Sequence, residues 1–163
     1  MNNIILIGMP GCGKTWIGRA LAEKLNRPFC DLDLMIEELS GMKIPEIFER
    51  CGEKYFRDVE NQISKETLNL DNYIIATGGG IVKNKENIDY LSKSGKIIFI
   101  DRDLEDIIGD IDISTRPILN NDKNKITELY KTRYELYKEY SDMTVLNDST
   151  VEEVISQIIE NIK

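Results

Sequence analysis

The chain has 163 residues, a net charge of −8, three cysteines and no histidine. That length fits one domain able to bury about 70% of its unfolded surface without staples, and the missing histidine excludes imidazole bases and histidine-held metals. Acidity argues against nucleic acid or an anionic membrane as partner, and no secretory segment or membrane-length apolar run is evident, so a cytoplasmic protein with reduced thiols is expected.

In chain order, the first apolar run is Ile4 to Ile7, and it leads straight into Gly8-Met9-Pro10-Gly11-Cys12-Gly13-Lys14-Thr15. This is a complete G-x-x-x-x-G-K-[ST] phosphate-binding loop. Its glycines let backbone N–H groups converge on a polyphosphate, Lys14 can reach the β- and γ-phosphates, and the Thr15 hydroxyl can ligand Mg²⁺. ATP or GTP is the expected ligand. Further strands are predicted around Phe29 to Leu32, Tyr73 to Ala76, Ile97 to Ile100 and Met143 to Leu146. Helical periods occupy Lys14 to Leu25, Asp33 to Leu39, Ile44 to Arg50, Tyr55 to Leu70, Glu86 to Ser94, Lys123 to Tyr140 and Val151 to Ile162, the last opened by a Thr150-x-x-Glu153 capping box. The alternation specifies an α/β fold, a parallel sheet with helices on both faces. The polar, aperiodic stretch from Gly109 to Lys123 reads as a mobile flap.

In such sheets ligands gather beyond the carboxyl ends of the strands. After the second strand, Asp31-Leu32-Asp33 places two carboxylates on one side of an extended chain. They suit magnesium binding and acceptance of a proton from a substrate hydroxyl, and Asp33 can also N-cap the following helix. After the third strand, Thr77-Gly78-Gly79-Gly80 lets backbone approach a ligand closely. Asp101, after the fourth, competes with Asp31 for the metal but has a helix-capping alternative. Arg57, Arg116 and Arg133 are ordinary surface charges if taken singly; brought together, their guanidinium forks suit a carboxylate or a transferring phosphoryl group.

Taken together these residues resemble the shikimate kinase family, nearly end to end: Gly8 to Thr15 with Ile17-Gly18-Arg19, Asp31-Leu32-Asp33, Gly52-Glu53 with Phe56-Arg57 and Glu60, Gly78-Gly79-Gly80, Arg116-Pro117, and Arg133 with Leu136-Tyr137. The resemblance implies a three-layer sandwich with a five-stranded parallel sheet of order 2-3-1-4-5, in a single kinase domain over 1–163 with a lid at about 109–123. It implies transfer of the γ-phosphoryl group of ATP to the 3-hydroxyl of shikimate in aromatic amino-acid biosynthesis, by a monomer using Mg²⁺. Gly11, Cys12, Gly13, Lys14, Thr15 and Trp16 would bind the nucleotide, with Lys14 and Arg116 on the transferring phosphate. Thr15 and, through water, Asp31 would hold the metal. Asp33 would be the base; Arg57, oriented by Glu60, and Arg133 would grip the shikimate carboxylate, and Gly79 and Gly80 would meet the ring hydroxyls. Members often carry a further Arg or Lys in the lid and an Arg after the fifth strand, near the adenine. Here those stretches read Ile108-Gly109-Asp110 and Asn147-Asp148-Ser149-Thr150, without a cation. Competing readings are another small-molecule or nucleoside monophosphate kinase of the same fold, or a nucleotide-binding switch protein. A guanine-reading Asn-Lys-x-Asp motif is missing, since Asn84-Lys85-Glu86-Asn87 ends in Asn.

Overall fold

An unbroken apolar run suits a strand covered on both faces. The computed structural model, which describes residues 2–110 and 124–163, places Asn3–Ile7 as β1, every residue buried. The other strands are β2 (Phe29–Asp31), β3 (Ile74–Ala76), β4 (Gly95–Asp101) and β5 (Met143–Leu146). They form one sheet of order β2-β3-β1-β4-β5, the expected order. All pairings are parallel, with Ile5 level with Ile75 on one side and Ile97 on the other. Asn3, the polar start of β1, is buried and fully used. Its Nδ2 donates to the Leu70 and Ser94 carbonyls at 2.8 and 3.1 Å and to Ser94 Oγ at 2.7 Å, and its Oδ1 accepts from Tyr73 N at 2.8 Å. One amide thus ties three strand beginnings together, as a buried polar group must if it is not to cost stability.

Seven helices flank the described part of the sheet: α1 (Lys14–Leu25), α2 (Leu32–Ser40), α3 (Ile44–Glu66), α4 (Lys85–Ser94), α5 (Leu104–Asp110), α6 (Asn124–Tyr140) and α7 (Val151–Ile162). Short 3₁₀ turns lie at Thr67–Asn69 and Ile81–Lys83. The Thr150 hydroxyl accepts from Glu153 N at 3.3 Å, which makes the N-cap half of the expected capping box. The two helices expected on either side of Cys51 are both present within α3, separated by a kink at Gly52, whose φ of 84° and ψ of 169° no helix tolerates. Two expectations need correction. The cap of α2 is Asp31, whose Oδ1 accepts from Asp33 N at 2.9 Å; Asp33 sits inside the first turn. Gly109 and Asp110 end α5 rather than begin a flap. The rest of the expected lid, including Arg116, lies outside the described residues. Among the described residues no helix is long and apolar enough to cross a membrane.

Candidate functional site

The phosphate loop joins β1 to α1 and needs its glycines. Gly8, Gly11 and Gly13 have φ of 152°, 80° and 98°, values that side chains resist. A Cβ on Gly8 would also meet Cys12 Sγ at 2.8 Å. Lys14 is only 7% exposed, and its ammonium donates to the Gly8 and Met9 carbonyls at 2.7 and 2.9 Å. The charge is therefore folded into the loop, surrounded by acceptors that a polyphosphate can replace. Thr15 Oγ1 donates to Asp31 Oδ2 at 2.8 Å. Lys14, Thr15, Trp16, Asp31, Asp33 and Gly79 are among the residues facing one cleft of about 320 Å³. Cys12, within the loop, is wholly buried, and Trp16, just after it, is 71% exposed; of the two only Trp16 lines the cleft.

The three glycines after β3 touch the three working parts of the site. A Cβ on Gly78 would stand 2.7 Å from Asp33 Oδ1, one on Gly79 would stand 2.6 Å from Pro10 Cδ in the phosphate loop, and one on Gly80 would stand 2.6 Å from Arg57 Nη2. Side chains here would push apart the acid, the loop and the guanidinium. Tyr137 OH donates to the Gly79 carbonyl at 2.5 Å, which fixes this turn to α6. Burial holds the Tyr137 hydroxyl protonated far above the usual tyrosine range, although Arg133 opposes the shift.

Arg57 and Arg133 belong to different helices and converge around Glu60. Arg57 Nη1 donates to Glu60 Oε1 at 2.9 Å, and its Nε reaches Glu53 Oε1 at 3.4 Å. Glu60 and Arg133 are buried, at 2% and 5% exposure. Burial raises the Glu60 carboxyl, while Arg57, Arg133 and Lys83 pull it back down. The structure therefore brings Asp31, Asp33, Lys14, Thr15, Gly79, Gly80, Arg57 and Arg133 to one end of the sheet. It does not bring Asp101 into that group. Asp101 Oδ2 accepts from Tyr134 OH at 3.0 Å, and the helix-capping carboxylate is Asp103, which accepts from Glu105 N at 2.9 Å.

Three residues at the site escaped the sequence reading. Arg102 Nη1 donates to the Gly11 carbonyl at 3.0 Å and pairs with Asp110, so a cation does stand against the loop, supplied from the end of β4. Asn147, after β5, donates Nδ2 to the Cys12 carbonyl at 2.9 Å. Lys83 pairs with Glu53 at 2.6 Å. Arg102 and Asn147 stand just beyond strand ends, a position that points to the ligand side of the sheet, whereas nothing local distinguishes Lys83.

A family model described as shikimate kinase matches residues 10–163. The chain belongs to the shikimate kinase family. A shikimate kinase from Clostridium botulinum (strain Eklund 17B / Type B) is 51% identical over 157 residues, covering 96% of this chain and 94% of the relative. One from Clostridium beijerinckii is 47% identical over 159 residues, covering 98% and 94%. Among solved structures, shikimate kinase from Acinetobacter baumannii in complex with shikimate has a TM-score of 0.94 at 32% identity, over 99% of this chain and 93% of that one. The enzyme from Aquifex aeolicus gives 0.86 at 34% identity, over 98% and 95%. Membership displaces the monophosphate-kinase and switch-protein readings.

Proposed function

We propose that this chain transfers the γ-phosphoryl group of ATP to the 3-hydroxyl of shikimate, giving shikimate 3-phosphate and ADP. The observation that carries the reading is the Gly78-Gly79-Gly80 turn, which packs against Asp33, the phosphate loop and Arg57 in succession. A hydroxy acid bridging these points would present its carboxylate to the arginines and a hydroxyl to Asp33, next to the loop.

Phosphoryl transfer demands positioning and charge stabilisation more than covalent chemistry. Lys14 exchanges its Gly8 and Met9 carbonyls for phosphate oxygens, and backbone N–H groups from Gly11 to Trp16 face the same anion. Asp33 accepts the proton of the attacking hydroxyl. Arg57 and Arg133 hold the substrate carboxylate by charge-assisted bonds, with Glu60 fixing the Arg57 fork. On family resemblance, Arg116 meets the transferring group. Thr15 Oγ1 and Asp31 Oδ2, 2.8 Å apart, fit Mg²⁺, an ion that takes few protein ligands and keeps most of its waters. That ion supplies charge neutralisation on the β- and γ-phosphates. The same reading makes the working unit one domain over 1–163, acting as a cytoplasmic monomer.

The test is coupled ADP release from MgATP with and without shikimate. Release should depend on shikimate and saturate with it. Release at the same rate in both cases would refute the assignment.

A further inference from the structure

Lys83 lies outside every expected site, yet two independent links join it to the substrate-carboxylate end. Its backbone N donates to the Gly80 carbonyl at 3.0 Å, and Gly80 is the residue pressed against the Arg57 guanidinium. Its ammonium meets Glu53 Oε1 at 2.6 Å, the same oxygen that Arg57 Nε approaches at 3.4 Å. Lys83, Glu53 and Arg133 also line one cleft of about 320 Å³, closed on its other side by Leu129, Thr132 and Leu136 of α6.

Charge balance shows what the lysine does. Around this end, among the described residues, Arg57, Arg133 and Lys83 are positive and Glu53 and Glu60 negative, which leaves one positive charge over. A monocarboxylate cancels that surplus. Without Lys83 the cluster would be neutral before substrate arrived, and Glu53, four residues before Arg57 on α3, would compete with the substrate carboxylate for that guanidinium. The Lys83 bond is the largest influence holding the Glu53 carboxyl below its usual range, so Glu53 is fully ionised and needs a cation of its own.

We infer that Lys83 is a positioning and specificity-determining residue: by engaging Glu53 it frees Arg57 and Arg133 to select a substrate bearing one carboxylate. The inference rests on the proposed shikimate kinase activity and deepens it. Lys83 acts through Glu53 without touching the substrate.

The test measures shikimate KM and kcat for Lys83→Met and for Lys83→Met combined with Glu53→Gln, with thermal melts to confirm folding and Lys83→Arg as the charge-keeping control. Lys83 is 44% exposed, so its replacement should not unfold the chain. Lys83→Met should raise KM by about fivefold to tenfold, the scale of one misplaced partly exposed charge, with kcat within about twofold. The double variant restores the single surplus charge and should return KM to within about twofold of wild type. An unchanged KM in Lys83→Met, or a double variant no better than the single one, would overturn the inference. Wild-type ADP release indifferent to shikimate would instead overturn the activity on which it rests.

Discussion

Replacing Asp33 by Asn separates its chemical role from any structural one. Asp33 is the second residue of α2, and the cap is made by Asp31, whose Oδ1 accepts from Asp33 N at 2.9 Å. The substitution keeps that backbone bond and the side-chain volume beside Gly78. It removes one negative charge from a helix N-terminus, worth about 0.3–1 kcal/mol, or a melting-temperature drop of roughly 1–4 °C for a chain of this size. Loss of a general base costs about 10²-fold or more in kcat, equivalent to about 2.7 kcal/mol. The two magnitudes are far enough apart to be read in parallel, kcat by coupled ADP release at saturating MgATP and shikimate, stability by thermal melting. A variant that kept more than about a third of wild-type kcat while melting a few degrees lower would show Asp33 to be a helix-end charge and nothing more.

Gly80→Ala places a methyl into the Arg57 guanidinium at a residue whose φ of −89° strains no side chain; shikimate KM should rise at least about tenfold with little loss of stability, and an unchanged KM would refute the packing role. Asn147→Ala and Arg102→Ala each remove a hydrogen bond to the phosphate-loop backbone and should raise ATP KM about fivefold while leaving shikimate KM alone, an effect on shikimate KM instead being the contrary outcome. For Glu60, burial raises the folded-state carboxyl above its ordinary 4.5, so its contribution to stability is present at low pH and is lost as pH rises through the folded value. The stability of wild type relative to Glu60→Gln should therefore shrink from about pH 4.5 upward in melts, and a gap that widens with pH would contradict the burial effect.

The sequence carried the fold well wherever the information was local. A run of aliphatic residues ending in a phosphate-loop motif specifies both β1 and the turn after it, and four later apolar runs specify the remaining strands to within a residue or two. The errors fall where local signals are short or ambiguous. Leu104–Asp110 has seven residues, four of them acidic or glycine, too few to show a helical period. The Asp31-Leu32-Asp33 spacing cannot say which acid caps α2, because both choices satisfy the same propensity; the answer comes from how β2 ends, and both acids line the cleft.

Site residues divide along the same line. Lys14 and Thr15 are legible because a four-position motif dictates their chemistry. Arg102, Asn147 and Lys83 are not, because each acts on a backbone carbonyl or carboxylate 30 or more positions away: Arg102 and Gly11 are 91 apart, Asn147 and Cys12 are 135 apart, Lys83 and Glu53 are 30 apart. Nothing in the neighbouring sequence distinguishes such residues from solvated surface. Electrostatics gives the distinction physical content. In a chain carrying −8 overall, an anionic substrate and an anionic nucleotide can be held only where cations outnumber acids locally, and every acid placed there, Glu53 and Glu60 included, requires a cation committed to it. Surplus positive charge, rather than the number of arginines, then sets affinity for a carboxylate, so a lysine that never meets the substrate can govern how tightly it is bound.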